Sequence, residues 1–379
     1  MTVDARPDAA APAVDVAIRL DGLTKRYPGA PRPAVDGLDV TIPRGELVAL
    51  VGPSGCGKTT TLKMINRLVE PTGGTVWMSG TDVRTVRAHE LRRGIGYVIQ
   101  QAGLFPHRTV RDNIATVPQL AGWDRPDIAA RVTELADLLG LDRELLDRYP
   151  GALSGGQQQR VGVARALAAD PPVLLMDEPY SAVDPIVRAR LQDELLDLQR
   201  RVHKTIVLVT HDIDEAIKLA DRIAILNIGG VLEQVGPPEE LLRAPVNGFV
   251  ADFMGDDRGI KRLSLATVDD VELREGPVVD VAAAADEARA MMARHGVDWV
   301  GLREGDRLLG WVGAADLDGG PATARAHVRE FRSMVVGATT LKAALDLIVT
   351  SHTRVAVVVD DEARYRGMLT VDDLAEGLV

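Results

Sequence analysis

The sequence predicts an α/β fold over its first two thirds, interrupted by a helical insertion, followed by a smaller α+β region made of two copies of one unit. Three observations carry this reading. Between residues 16 and 255, short apolar runs of strand length alternate with amphipathic stretches of helical length, the pattern of a sheet with helices on its faces. Between about 101 and 165 the strand-like runs give way to polar, helical sequence. Beyond Gly255 one segment repeats: Gly310-Trp311-Val312-Gly313-Ala314-Ala315-Asp316-Leu317 aligns with Gly367-Met368-Leu369-Thr370-Val371-Asp372-Asp373-Leu374, an offset of 57 residues.

The elements follow in order. Residues 1–15, rich in Ala, Pro and Asp, lack the apolar core of a signal peptide and read as a disordered leader ahead of a first strand near Val16. Strands are expected at 46–51, 173–177, 205–210 and 222–226, each a nearly unbroken apolar run of the kind buried on both faces. In the last third, Val297-Asp298-Trp299-Val300 matches Arg354-Val355-Ala356-Val357 at the same offset. Ala-rich helices at 286–295 and 341–351 precede the two strand pairs. The repeat therefore predicts a duplicated β-α-β-β-α unit, split as 256–320 and 321–379.

Composition narrows the function. Of 379 residues, 46% are hydrophobic and 26% charged, which suits a core-forming globular chain of two or three domains. A net charge of −11, much of it in residues 256–379, argues against binding nucleic acid by broad phosphate neutralisation. Aromatic residues are only 3%, too few for stacking platforms or cation cages. The single cysteine, Cys56, excludes an internal disulfide and fits a reducing compartment. No run approaches the roughly 20 apolar residues of a membrane span.

The chemistry begins at Gly52-Pro53-Ser54-Gly55-Cys56-Gly57-Lys58-Thr59, which follows an apolar strand and precedes the helical run 60–68, starting at Thr60. A loop of this form curls so that successive backbone N–H groups and the following helix N-terminus face phosphate oxygens. Lys58 then reaches the β/γ-phosphates and the Thr59 hydroxyl ligates Mg2+. Cys56 is expected to be only a small residue within the loop. A second apolar strand ends in Asp177-Glu178. An acid there needs a cation: Asp177 is expected to hold Mg2+ through its water shell, and Glu178 to polarise the water that attacks the γ-phosphate.

Leu153-Ser154-Gly155-Gly156-Gln157, ahead of the helical run 158–168, resembles the signature motif of ATP-binding cassette (ABC) ATPases. The resemblance implies an ABC-type P-loop NTPase fold over about 16–250. In it, Ser154, Gly155, Gly156 and Gln157 meet the γ-phosphate held by a second subunit. Further positions match that family one by one. Gln100 resembles the Q-loop glutamine, Ser181-Ala182-Val183-Asp184 the D-loop, and His211 the switch histidine that contacts the γ-phosphate. Tyr27 stands where an aromatic stacks on adenine. Val183 replaces the more usual Leu. The implied enzyme is a homodimeric ATPase that encloses two ATP molecules between its subunits and is bound to permease subunits at the cytoplasmic face of a membrane.

The stretches 101–113, 176–185 and 249–255 resemble cassettes of quaternary-amine osmoprotectant importers, although Tyr180 replaces the commoner Phe. The 57-residue duplication resembles the tandem CBS modules that follow such cassettes. In CBS modules a G-h-h-[ST]-x-x-D run binds nucleotide ribose and phosphate, which implies an adenine nucleotide or cyclic di-AMP at Gly367, Thr370 and Asp373. In the first unit Gly313 replaces the hydroxyl residue while Asp316 remains, so that half-site is expected to be weak. The resemblance implies glycine betaine, carnitine, choline or proline betaine as solute, chosen by an extracytoplasmic receptor. Two alternatives stay open: a cassette for another imported solute, and a non-transport cassette acting on nucleic acid or ribosomes.

Overall fold

The computed structural model describes residues 15–100, 103–181, 183–317 and 328–376. The expected leader at 1–15, except Asp15, lies outside them, as do Ala182 and the join near 320. The chain divides into two compact units between Met254 and Gly255.

The first unit contains two sheets. Strands β1 (Val16–Lys25), β2 (Val35–Pro43), β4 (Gly73–Met78) and β5 (Thr81–Asp82) form an antiparallel sheet in the order β2-β1-β4-β5. The larger sheet uses β3 (Leu47–Val51), β6 (Ile95–Val98), β7 (Val173–Asp177), β8 (Thr205–Val209), β9 (Arg222–Asn227) and β10 (Val231–Gly236). Its order is β10-β9-β3-β8-β7-β6, parallel throughout except for the β10–β9 pair.

The unbroken apolar runs are explained by two cores. In β3, Leu47, Ala49 and Val51 enter the core on the helical side, whereas Val48 and Leu50 enter the core shared with the antiparallel sheet. In β7, Leu174 and Met176 face the helical side, and Val173 and Leu175 the other. Side chains of this size contribute about 1.5–3 kcal/mol each when fully buried. The helices are α1 (Lys58–Ile65), α2 (Ala88–Arg93), α3 (Val110–Leu120), α4 (Arg125–Leu138), α5 (Gly155–Leu167), α6 (Pro185–Val202), α7 (Ile213–Leu219), α8 (Pro238–Arg243) and α9 (Gly248–Met254). Helices α3, α4 and the start of α5 lie in the region expected to be a helical insertion.

Asn113 fixes the entry to that insertion. It is fully buried. Its amide nitrogen donates to the carbonyls of Phe105, Arg108 and Thr109, and its oxygen accepts from the Phe105 N–H. One side chain thereby meets four backbone groups of the loop that leads into α3.

In the second unit, α10 (Arg258–Arg262) leads into two copies of one arrangement. The first is β11 (Val278–Asp280), α11 (Ala285–His295), β12 (Trp299–Glu304) and β13 (Arg307–Gly313). The second is β14 (Met334–Val336), α12 (Leu341–Thr350), β15 (Ala356–Val359) and β16 (Tyr365–Leu369), followed by α13 (Val371–Glu376). In each copy the first pair of strands is parallel and the second antiparallel. The copies differ at their ends: the first closes with a 3-10 turn, Ala314–Leu317, where the repeat predicts a helix.

The copies also exchange strands. Arg274, ahead of the first copy, bridges Met368 in β16, and Arg329, ahead of the second, bridges Trp311 in β13. The repeated glycines make room for this exchange. A Cβ at Gly310 would stand 2.4 Å from the Arg329 carbonyl oxygen, and one at Gly367 2.8 Å from the Leu273 Cβ.

Candidate active site

The carboxyl ends of β3, β7 and β8 meet because their registers align: Leu50 pairs with Val209, and Val209 with Asp177. Ligands of open α/β sheets bind beyond such strand ends. Here a cavity of about 680 Å3 is lined by Gly52, Pro53, Ser54, Gly55, Gly57, Lys58, Thr59 and Thr60 of the glycine-rich loop. Glu178, His211, Ala34 and Phe253 complete its walls.

Helix α1 starts at Lys58 after a left-handed Gly57, and no side chain caps it. Its first-turn N–H groups are therefore open to an anion from outside the chain. Lys58 is buried, and its Nζ donates to the carbonyls of Gly52 at 2.7 Å and Pro53 at 3.2 Å. Cys56 is fully buried with its Sγ 3.7 Å from that Nζ; it packs into the core shared by the two sheets.

Thr59 Oγ1 donates to Asp177 Oδ1 at 2.8 Å. Burial raises the Asp177 pKa, while the Thr59 hydrogen bond and the Lys63 charge lower it. A cation beside this carboxyl would favour its ionised form. The Thr59 hydroxyl, the Asp177 carboxylate and the Gln100 amide oxygen are hard donors of the kind Mg2+ takes, so the residues present fit that ion.

Glu178 occupies the left-handed region with φ 46°, at a cost of about 1–2 kcal/mol for a residue with a side chain. Hydrogen bonds on both sides hold it there. Its N–H donates to Val209 O at 2.8 Å, and its carbonyl accepts from Ser181 N and Oγ. The carboxylate is met from two further strand ends: Gln100 Nε2 donates to Oε2 at 3.2 Å, and His211 Nδ1 lies 3.3 Å from the same oxygen. Backbone strain at an acid on which two polar side chains converge makes Glu178 the candidate functional carboxylate of the cavity.

Other expected residues stand apart from the cavity wall. Ser154 caps α5 in a reciprocal capping box with Gln157, and Gly155 and Gly156 follow in the first turn. Asp184 caps α6 by accepting from Val187 N at 3.1 Å. A Cβ at Gly156 would meet Val187 at 2.9 Å, so the starts of α5 and α6 lie close together, beside Ile186, which is 85% exposed. Tyr27 is not among the lining residues; it is exposed, with Lys25 Nζ 5.2 Å from its ring centroid. Ala34 and Phe253 line the cavity in addition to the residues singled out from the sequence. No spacing rule marks them, because long-range packing brings them there.

In the second unit, Thr370 and Asp373 serve one another. Asp373 Oδ2 accepts from Thr370 N at 2.8 Å and from its Oγ1 at 2.7 Å, and Oδ1 pairs with Arg274. Asp316 accepts from Gly313 N at 2.9 Å and pairs with Arg329 at 3.0 Å. Nearby is a cleft of about 560 Å3, lined by Trp311, Arg329, Arg332, Ser351, His352 and Thr353 among others. Its wall includes His352 stacked on Trp311, with ring centroids 5.2 Å apart.

A phosphate-cradling loop at the end of a parallel strand, a strained glutamate beside it and a separate capped Ser-Gly-Gly helix start define a nucleotide-hydrolysing cassette. The ABC transporter family model matches residues 35–181, and the CBS domain model matches residues 334–379. The chain belongs to the ABC transporter family, as an ATP-binding subunit with ATPase activity.

Its relatives include the osmoprotectant import ATP-binding protein OsmV of Salmonella typhimurium, 44% identical over 95% of this chain and 96% of that protein. The glycine betaine/carnitine/choline transport ATP-binding protein OpuCA of Bacillus subtilis is 43% identical over 95% of each. A sulfate/thiosulfate import ATP-binding protein CysA of Mycolicibacterium paratuberculosis is 44% identical over 75% of this chain and 76% of its own length. Among solved structures, a dimeric ATP-binding cassette in a post-hydrolysis state with ADP and Pi has a TM-score of 0.53 at 34% identity. It covers 58% of this chain and 98% of the other. The structure of cbiO1 from Clostridium perfringens, part of the ABC transporter complex cbiONQ, has a TM-score of 0.58 at 26% identity and covers 66% of this chain and 95% of the other.

Proposed function

We propose that this chain powers an importer of quaternary-amine osmoprotectants such as glycine betaine, carnitine, choline or proline betaine. Two copies close around two ATP molecules and drive permease subunits at the cytoplasmic face of the membrane. Support for the solute class comes from relatives of that description matching along 95% of the chain, the repeated unit included. The match to the sulfate/thiosulfate protein covers 75% and supports a second reading, a cassette for another small solute. An extracytoplasmic receptor selects the solute. No described helix is long and apolar enough to cross a membrane.

The single observation that carries the hydrolytic reading is the convergence of Gln100 and His211 on Glu178, beside the Lys58–Thr59 loop. In this reading the loop N–H groups and Lys58 hold the β/γ-phosphates, and Glu178 accepts a proton from the attacking water. Gln100 and His211 orient that carboxylate and the γ-phosphate. Bound Mg2+, held through Thr59, Asp177 and Gln100, neutralises phosphate charge. Tyr27 borders the adenine. Ser154, Gly155, Gly156 and Gln157 belong to the partner's ATP, and Asp184 with the exposed Ile186 belongs to the closing face, since none of them lines the cavity of its own subunit.

The test is ATP hydrolysis by the chain reconstituted with its permease and receptor, measured against betaine, choline, carnitine, proline and sulfate. Stimulation by one or more of the quaternary amines and not by sulfate is expected. Stimulation by sulfate alone would replace this reading with the second one.

Residues 256–320 and 321–379 act in this proposal as a pair of CBS modules that regulate transport by binding an adenine nucleotide or cyclic di-AMP. Gly367, Thr370, Asp373 and Asp316 lie at the repeated motif, and the cleft bearing Arg329, Arg332 and Ser351 offers the cations and hydroxyls that phosphate groups take. Binding requires a ligand to displace Thr370 or Arg274 from Asp373. Full-length Lys58→Ala protein, whose ATPase site is disabled, is therefore expected to bind one of ATP, AMP or cyclic di-AMP saturably in equilibrium dialysis, and Asp373→Ala is expected to weaken that binding about tenfold or more. Absence of saturable binding to all three ligands would remove the sensor role.

A further inference from the structure

The loop that follows Glu178 and the loop that carries His211 are joined by one side chain. Arg188, in the first turn of α6, donates from Nη2 to the Val183 carbonyl at 3.2 Å, and its Nη1 lies 3.5 Å from Asp212 Oδ2. Its Nε is enclosed and has no hydrogen-bond partner among the described residues. Asp212 follows His211 directly, and its other carboxylate oxygen accepts from Asp214 N and Glu215 N at the start of α7. On the opposite side of His211, Thr210 Oγ1 accepts from Asp212 N at 3.0 Å and donates to the buried Glu215 at 3.2 Å. The histidine is thus held between two neighbours that are each tied down, and the tie on Asp212 leads through Arg188 to Val183, next to Asp184.

We propose that Arg188 is a positioning residue that couples the seating of Val183 and Asp184 to the orientation of His211, so that hydrolysis is triggered only when Asp184 meets the partner subunit. The inference rests on the hydrolytic reading above. A guanidinium can make both contacts because its N–H groups diverge from one rigid plane, whereas an ammonium on a flexible stem cannot span both acceptors in fixed geometry. A single ion pair this long, between partly exposed side chains, contributes little to folding. Its effect lies in geometry, since displacing a positioning group by about 1 Å can cost a hundredfold in rate. A displacement of Val183 would reach Asp212 through one side chain and His211 through one peptide bond.

The test uses the full-length protein with MgATP, comparing Arg188→Ala, Arg188→Lys and Arg188→Met with the native chain. Arg188→Ala is expected to lower kcat by about 10–100-fold while leaving KM for ATP within about twofold and the melting temperature within a few degrees. Arg188→Lys, which keeps the Asp212 contact alone, is expected to recover part of the rate. Arg188→Met, which keeps the apolar stem, is expected to behave like Arg188→Ala, and it decides the matter if Arg188→Ala melts early. A kcat within twofold of native in Arg188→Met, or a change confined to KM, would overturn the proposal. Glu178→Gln is assayed alongside. If it hydrolyses ATP normally, the hydrolytic reading fails; if it is inactive while Arg188→Met is normal, only the coupling fails.

Discussion

Glu178→Gln is expected to bind ATP as the native chain does, to lose about 10²–10⁴-fold in steady-state hydrolysis, and to accumulate a closed dimer. The substitution preserves the shape of the side chain and places no new atom in the cavity. It also leaves the left-handed backbone at φ 46° as costly as before, because Gln and Glu share the same Cβ geometry. What it removes is the charge proposed to accept a proton. Gln100 Nε2 and His211 Nδ1 both address Glu178 Oε2, at 3.2 and 3.3 Å. An amide offers them one acceptor oxygen but no basic site for the proton of an attacking water. The Lys58–Thr59 loop, proposed to hold the phosphates, is untouched, so affinity is expected to hold. With closure driven by ATP binding and reopening dependent on hydrolysis, the closed form builds up. Size exclusion with and without ATP, together with phosphate release, measures both effects. Normal phosphate release from this variant would remove Glu178 as the proton acceptor.

The glycine-rich loop was legible because its chemistry is local: spacing, strand context and the following helix are all contiguous in sequence. Strands β3, β7, β8 and β9 were legible for a related reason. Buried on both faces, they read as unbroken apolar runs, and their observed limits differ by one residue or less from those expected. The duplicated unit was legible because an offset of 57 residues relates segments of both strand pairs, and a helix precedes each pair.

The features that could not be read depend on distant partners. The positive φ of Glu178 is held by Val209 and Ser181, and Phe253 reaches the cavity from α9, far along the chain. Arg188 looks like any surface arginine on a polar helix until the loops on either side of it are placed. The crossed bridges Arg274–Met368 and Trp311–Arg329 tie each copy to the segment preceding the other, a topology that the repeat alone cannot specify. The same crossing brings Arg274 to Asp373 and Arg329 to Asp316, so the two repeated acids are already paired within the chain.

Two alanine substitutions within one loop should differ sharply. Gly55 and Gly57 both have positive φ, +80° and +100°, so alanine at either carries the left-handed penalty of about 1–2 kcal/mol. Their surroundings differ. Nothing lies within 4 Å of a Cβ placed at Gly55, whereas one at Gly57 would stand 2.3 Å from the Ala34 carbonyl oxygen and 2.9 Å from Val35 Cγ2. The nearer atom is backbone, in a segment continuous with β2, and it cannot swing away as a side chain can. Relief must come from Gly57, which immediately precedes Lys58 and sets the direction of the first turn of α1. Gly55→Ala is therefore expected to weaken ATP binding by about thirtyfold at most, the equivalent of its strain. Gly57→Ala displaces Lys58, Thr59 and the uncapped N–H groups together, and is expected to weaken binding by about a hundredfold or more while far-ultraviolet circular dichroism stays native. Equilibrium titration with a fluorescent ATP analogue compares the two. If Gly57→Ala binds within threefold of the native chain, the phosphates do not rest on this turn.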